Sequence, residues 1–534
     1  MSELLHELIF NSAQRDPNRD AISHNSSNLS YAELANLVSQ AAKGFRALGL
    51  ERQDRVAVFL PKRFETVIAL FATVAAGGIF VPINPVLKPP QVSHILRDSG
   101  ARLLVTTNTR ALQLKDAISQ CPDLTSIVVT EPMGEGTAER FSIDILLWQE
   151  VMNLNKASPR FRTIDTDIAG LLYTSGSTGS PKGVVLSHQN MVIGAKSVAQ
   201  YLENTASDRI LCVLPFSFDY GFSQISTAFV VGACCVLMDY LLPNEVIKKV
   251  SSEKITGLAA VPPLWIQLTQ CTWPSEAIES LRYITNSGGR MPKATLDTLR
   301  RSLPQTKVYL MYGLTEAFRS TYLPPEELDR RPESIGKAIP SAEILVLRED
   351  GSPCDIDESG ELVHRGSLVA RGYWNNPEMT AKRFRPFKTH NSPVPIPEIA
   401  VWSGDTVSMD KEGFLYFIGR KDEMIKTSGY RVSPTEIEEV IYASGMVREA
   451  AAVGLPHPIL GQAIAVVIVP REDELDNEAL IQECKKNLPL YMVPTHVEIR
   501  ASLPRNPNGK IDRSLLTREL ESVFNILDGG GKLG

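Results

Sequence analysis

No Cys-x-x-Cys pair occurs among the seven cysteines of this 534-residue chain, at positions 121, 212, 234, 235, 271, 354 and 484. An odd set without ligand spacing, with Cys234 and Cys235 adjacent inside an apolar run, excludes a zinc ribbon and a disulfide framework and reads as reduced core cysteines. Neither sign of charge is in excess: 55 basic residues stand against 61 acidic ones, a net charge of −6. A general polyanion-binding surface is thereby excluded, no nucleic-acid partner is expected, and any phosphate site must be local. Long apolar runs are missing too. The longest, Val67 to Pro82, is interrupted by Gly77 and Gly78 and is shorter than the roughly 20 residues a membrane span needs, so it reads as a buried helix running into a strand. Met1 to Pro17 carries Glu3, Glu7 and Arg15 and lacks the basic start and apolar core of a secretory signal, so a cytoplasmic location is expected.

What is present is ordinary globular composition, 43% hydrophobic, 22% charged and 7% aromatic, with ample apolar surface for a core. From Ser30 onward helical patterns alternate with short β-branched strands: Tyr31 to Leu48, Arg55 to Leu60, Phe64 to Ala76, Leu103 to Thr106. The texture continues through Ile210 to Pro215, Ala233 to Met238, Gly257 to Val261 and Lys307 to Met311. Such alternation predicts parallel sheets covered by helices. From about Glu343 the strands are closely spaced and turn-rich, which predicts an antiparallel β subdomain closing the large region. A boundary falls near residue 421. Beyond it, Ser433-Pro434-Thr435-Glu436 predicts a helix start with a capping box, and the strands Ala450 to Val453 and Ala463 to Val469 belong to a separate α+β unit of roughly 110 residues. The glycine-rich tail from Asp528 to Gly534 carries no assigned chemistry.

The strongest chemical signal is Tyr173 to Gly183, Tyr-Thr-Ser-Gly-Ser-Thr-Gly-Ser-Pro-Lys-Gly, directly after the apolar run Ile168 to Leu172. Glycines free the backbone for close approach, hydroxyls and amides donate to phosphate oxygens, and Lys182 adds a point charge. It reads as a phosphate-gripping loop after a strand. Because Gly183 follows Lys182 where Ser or Thr would be needed, it is not the Walker pattern, which argues against a P-loop NTPase.

Together with four further segments, this loop resembles the AMP-forming adenylating superfamily of acyl-CoA synthetases, carrier-protein-loading adenylation domains and luciferases. The others are Tyr312 to Glu316 (Tyr-Gly-Leu-Thr-Glu), Trp402 to Asp405, Gly419 to Asp422 with Lys426 to Tyr430, and Pro504 to Asp512 around Lys510. They stand in the family's order and span nearly the whole chain. In texture, Tyr312 to Pro325 and Leu214 to Gly221 are most similar to acyl-CoA ligases associated with exosortase-type export, and also to stand-alone proline-activating adenylation enzymes. The resemblance implies a large N-terminal α/β domain over 1–421, with two helix-covered sheets plus a β subdomain, and a small mobile α+β domain over 422–534. It implies ATP, Mg²⁺ and CoA or a phosphopantetheine carrier as thiol acceptor. No carrier segment follows Gly534, so that acceptor would be free CoA or a separate protein.

Activating a carboxylate with ATP sets an anionic oxygen on the α-phosphate, and cations and oriented dipoles must offset the repulsion. By motif match, Thr174, Ser175, Gly176, Thr178 and Lys182 would cradle the β- and γ-phosphates, Thr315 would contact the α-phosphate, and Glu316 would hold Mg²⁺. Tyr312 would stack on adenine, with Gly288, Gly289 and Arg290 at its edge, and Asp405 and Arg420 would bind the ribose. Lys510 would bridge carboxylate and α-phosphate in the transition state. Asp422 would be the hinge for domain rotation, and Gly429 and Tyr430 would line the pantetheine path. Loss of Lys182, Glu316 or Lys510 would mark a non-catalytic nucleotide-binding scaffold, and all three are present. A luciferase-type oxygenase would share only the first half-reaction.

The acyl pocket is expected to include Phe218, Asp219, Val261, Asn286, Met311 and Gly313. Asp219, set among aromatics, admits two readings: it pairs with an ammonium on an amino-acid substrate, or it caps a helix starting at Tyr220.

Overall fold

The computed structural model describes residues 3–134, 136, 138, 141–154, 161–174, 181–289, 291, 293–387, 397–420, 424–471, 475–504 and 511–524. Among them, the alternating pattern folds into two large sheets with helices between and around them. A seven-stranded sheet runs in the order Asp144–Leu147, Ser126–Val129, Ala101–Thr106, Arg55–Phe59, Ile79–Pro82, Ile168–Thr174, Lys182–Ser187. All its pairs are parallel except the last, an antiparallel pair that sets Thr174 opposite Lys182.

The second sheet has a parallel core of Asp20–His24, Cys234–Leu237, Arg209–Cys212, Gly257–Ala260, Tyr283–Asn286 and Lys307–Tyr312. Helices cover these strands on both faces, and segments such as Cys234–Leu237 are buried at every residue. That is why they read as continuous apolar runs without alternation. The apolar stretch from Val67 resolves into the buried helix Phe64–Ala75 and the strand Ile79–Pro82. Phe71 and Phe80 both stack on Phe222, at 6.0 and 5.0 Å between ring centroids, and so fix the helix Asp219–Val231 between the sheets.

The antiparallel strands from residue 342 onward are joined to this sheet edge to edge. Thr321–Leu323 and Ser334–Ala338 link Lys307–Tyr312 to Leu415–Arg420, Glu398–Met409, Gly360–Gly366 and Ala342–Leu347. The expected subdomain is thus a continuation of the parallel sheet and shares its hydrogen bonding.

The C-terminal unit has its own sheet, Tyr430–Val432, Ile425–Thr427, Gly461–Pro470 and Val447–His457, with His496–Ile499 alongside, and its own apolar clusters. Its helix Pro434–Ala443 starts where the sequence predicts, with Ser433 at the N-cap and Pro434 first, but no capping box forms: the Ser433 side chain makes no cap hydrogen bond. The Glu436 carboxyl is instead buried near Gln91 of the N-terminal region. Five of the seven cysteines are buried and all are free, while Cys271 and Cys354 are half-exposed, so the reading of all seven as core holds only in part. Among the described residues no helix is long and apolar enough to cross a membrane.

Candidate active site

The parallel strands of the second sheet end on one cavity of ≈ 1810 Å³ that reaches between the N- and C-terminal units. Val261 follows Gly257–Ala260, Asn286 ends Tyr283–Asn286, and Tyr312 ends Lys307–Tyr312. Ligands of open α/β sheets bind beyond such carboxyl ends.

At the phosphate end, Thr174 and Lys182 face each other in register across the hairpin whose connecting loop includes Ser175, Gly176 and Thr178, which lie outside the described residues. The strand Lys182–Ser187 is bridged to 371–374 by Val185 N–H to the Gly372 carbonyl (2.9 Å) and Trp374 N–H to the Gly183 carbonyl (2.7 Å). That bridge sets the Lys182 ammonium 5.9 Å from the Tyr373 ring centre. Tyr373 in turn donates its hydroxyl to Glu316 Oε1 at 2.6 Å. Burial, reinforced by the Glu316 carboxylate, pushes the Tyr373 hydroxyl well above its ordinary pKa and keeps it a donor. The other oxygen, Glu316 Oε2, is buried and meets no hydrogen-bond donor among the described residues. An open carboxylate oxygen beside a fixed one is a fitting ligand for a hard cation such as Mg²⁺.

At the nucleoside end, Asp405 is 1% exposed and accepts a hydrogen bond of 2.5 Å from the Tyr312 hydroxyl. Its backbone pairs with Arg420 on the adjacent strand, which places the two ribose candidates side by side. The Tyr312 ring is 6.4 Å from that of Phe417, which also lines the cavity and which sequence reading did not single out. Asn286 Nδ2 donates to the Gly289 carbonyl at 2.9 Å and so shapes the adjacent turn, where Gly288 takes φ +79°. That is left-handed backbone, which glycine adopts without strain. Arg290 lies outside the described residues.

At the acyl end, Phe218, Asp219, Val261, Met311 and Gly313 all line the cavity. The expectation that Asp219 caps the helix is corrected. The helix begins at Asp219 itself, its N-cap position is Phe218, and no side chain caps it. The Asp219 carboxylate has protein partners of its own: Oδ2 accepts from Arg319 Nη1 at 2.8 Å and Oδ1 accepts from the Thr315 hydroxyl at 3.2 Å. Arg319 is 2% exposed and lies over the Tyr220 ring at 4.6 Å. Three residues beyond Glu316, it carries no periodicity signal, and only the tertiary fold brings it to Asp219.

The C-terminal unit closes the cavity. Gly429, at φ +81°, packs against Val261 so closely that a Cβ there would lie 2.8 Å from Val261 Cγ1. Tyr430 stacks on Tyr491 at 3.6 Å and meets Phe218 edge-on at 5.2 Å. Gln91 Nε2 donates to the Asn487 carbonyl across the same seam. Burial raises the Glu436 carboxyl from 4.5 to about 7 there. Gly429 and Tyr430, expected on the pantetheine path, thus line the cavity beside Val261 and Phe218, while Lys510 and Asp422 lie outside the described residues.

Comparison with known proteins agrees with this geometry. The AMP-binding enzyme model matches residues 9–374, and the model of the AMP-binding enzyme C-terminal domain matches 436–510. A long-chain-fatty-acid–CoA ligase of Yersinia pestis is 30% identical over 507 residues, covering 89% of this chain and 86% of its own length. Feruloyl-CoA synthase of Amycolatopsis sp is 29% identical, covering 93% and 95%. Among solved structures, a double mutant of o-succinylbenzoate CoA synthetase from Bacillus subtilis bound with its product analogue OSB-NCoA superposes with TM-score 0.81 at 26% identity, covering 96% of this chain and 98% of that one. The same synthetase in complex with the acyl-adenylate intermediate OSB-AMP, covering 95% and 97%, gives 0.66. With a family model spanning more than half of its length, this chain belongs to the AMP-binding enzyme family.

Proposed function

We propose that the chain is an AMP-forming acid–thiol ligase: it joins a carboxylic acid to AMP at the expense of ATP and then passes the acyl group to a pantetheine thiol, that of CoA. In the first step a carboxylate oxygen forms a bond to the α-phosphorus and the bond to pyrophosphate breaks. In the second, a thiolate attacks the acyl carbon and AMP leaves. The observation that carries this reading is the meeting, on one cavity, of Thr174 at the base of its hairpin with Lys182, of Thr315, of the Tyr312–Asp405 pair and of the apolar side chains Phe218, Val261 and Met311, with the Tyr373–Glu316 pair beside Thr315.

Thr174, Ser175, Gly176, Thr178 and Lys182 hold the β- and γ-phosphates. Thr315 meets the α-phosphate, and Tyr312, Gly288, Gly289, Arg290, Asp405 and Arg420 take the nucleoside. Glu316 holds Mg²⁺, which when bound supplies neutralisation of triphosphate charge. Lys510 stabilises the charge that peaks as the acyl–phosphate bond forms.

Residues 1–421 and 422–534 act as two bodies hinged at Asp422. The higher similarity to the product-analogue complex than to the adenylate complex of one synthetase, with Gly429 seated on Val261, supports a thioester-forming arrangement. Loading of a separate carrier protein in a cytoplasmic setting remains the second acceptor. The amino-acid alternative draws no support from Asp219, whose oxygens are both engaged. Incubation with ATP, Mg²⁺, CoA and a panel of acids tests the proposal: AMP and pyrophosphate are expected with a cognate acid, and ADP with phosphate would overturn it.

A further inference from the structure

The geometry points to Arg319 as the specificity-determining residue of the acyl pocket, selecting an acid that carries an uncharged hydroxyl or carbonyl oxygen close to its carboxyl group. This deepens the proposed function and rests on it.

Arg319 lines the cavity yet is 2% exposed, and its Nε and Nη2 meet no acceptor among the described residues. Among the described residues, Nη1 alone donates a hydrogen bond, to Asp219. Buried guanidinium N–H groups left open are costly, and a ligand oxygen is what would satisfy them. The side chain is also held in place. Phe318, immediately before it, adopts φ +55° and ψ −44°, unfavourable for a bulky residue. Its ring lies where any Cβ on Gly194 would come within 2.4 Å, so packing fixes this bend and turns Arg319 inward. Gly313 lies against Arg319: a Cβ there would stand 3.6 Å from Nη1. Through Asp219, which also accepts from Thr315, the group sits within a few atoms of the residue expected at the α-phosphate. The oxygen it binds is therefore near the reacting carboxyl and not at the far end of a long tail.

Charge decides which oxygen. Asp219 already neutralises Arg319 at 2.8 Å. A second carboxylate on the substrate would be attracted by the guanidinium and repelled by Asp219 from a similar distance, leaving its desolvation uncompensated. An ammonium would find Asp219 already paired and Arg319 repelling it. A hydroxyl or carbonyl accepts from Nε and Nη2 and carries no charge to desolvate.

The test is pyrophosphate exchange with a matched series: butanoate, 3-hydroxybutanoate, 3-oxobutanoate, succinate and 3-aminobutanoate, in the wild-type protein and in Arg319→Met combined with Asp219→Asn, which removes the pair as a unit. The oxygenated monoacids should exceed butanoate in kcat/KM by roughly 10- to 100-fold, the scale of hydrogen bonds to a charged donor. In the double variant that ratio should collapse toward one. Equal or better use of butanoate, succinate or the amino acid by the wild type would overturn the inference without any variant having to fold. So would a preference that survives in a folded double variant. Failure of the proposed function itself is a different result: no acid of any class would then support exchange.

Discussion

The phosphate end and the acyl end of the cavity are built alike and left open in opposite senses. At the first, Tyr373 fixes one oxygen of Glu316 and leaves the other, a buried acceptor, free for a cation. At the second, Asp219 fixes one nitrogen of Arg319 and leaves two buried donors free for an oxygen. The partners also differ in origin. Glu316 lies in a five-residue motif and Lys182 in an eleven-residue one, whereas Arg319 and Asp219, 100 positions apart, meet only in the fold. Shared chemistry is written locally, and selectivity is written in tertiary contacts.

The largest effect should come from breaking the acyl-end pair on one side only. Asp219→Ala leaves the buried Arg319 charge uncompensated and should cost about 3–5 kcal/mol of stability, measured by chemical denaturation. The double variant described above should recover much of that loss, and a double variant no more stable than Asp219→Ala would show that the two do not act as a pair. At the phosphate end the expected loss is of rate. Lys510→Ala should lower acyl-adenylate formation by roughly 10² to 10³, the scale of removing a principal transition-state donor, while thioester formation from supplied adenylate survives. Equal damage to both half-reactions would assign Lys510 to both arrangements or to structure.

How much of this was legible in the sequence follows the same division. The helix–strand alternation, the helix running into a strand at 64–82 and the separate C-terminal unit could be read because burial on both faces leaves apolar runs of diagnostic length. The phosphate hairpin and the Tyr312–Asp405 neighbourhood were legible through motif chemistry. The pairing of Asp219 with Arg319 was not legible because the partner is invisible to any local rule, and the capping box at Ser433 was misread because burial of Glu436 against the N-terminal region is a tertiary effect. Tyr373 was missed for the same reason, since it owes its place to a bridge with Val184, and Phe417 because nothing in its own local hairpin marks it as facing the cavity.

Smaller effects sharpen the comparison. Gly429→Ala sets a Cβ 2.8 Å from Val261 Cγ1 on left-handed backbone, so thioester formation should drop about tenfold or more with adenylation little changed. Loss of adenylation alone would place Gly429 elsewhere in the cycle. Tyr373→Phe frees Glu316 Oε1 and should cost roughly 1 kcal/mol, seen as a rise in the Mg²⁺ concentration needed for half-maximal rate. An unchanged Mg²⁺ profile would separate Glu316 from the cation.

The seam between the two units should show the mildest dependence, on pH. Burial favours the neutral form of Glu436 in the docked arrangement, so its contribution is complete below its ordinary 4.5 and is lost as pH rises through about 7. Interdomain fluorescence transfer should report undocking over that window, and Glu436→Gln should flatten it. A profile the substitution leaves intact would assign the transition to another group.

The central claim is that a carboxylate oxygen attacks the α-phosphorus within this cavity. It is tested most directly by running the reaction with acid labelled with ¹⁸O in its carboxyl group and reading the phosphorus products by mass spectrometry. Under this account one labelled oxygen per turnover appears in AMP and none in inorganic phosphate. Label in inorganic phosphate, with AMP unlabelled, would contradict it.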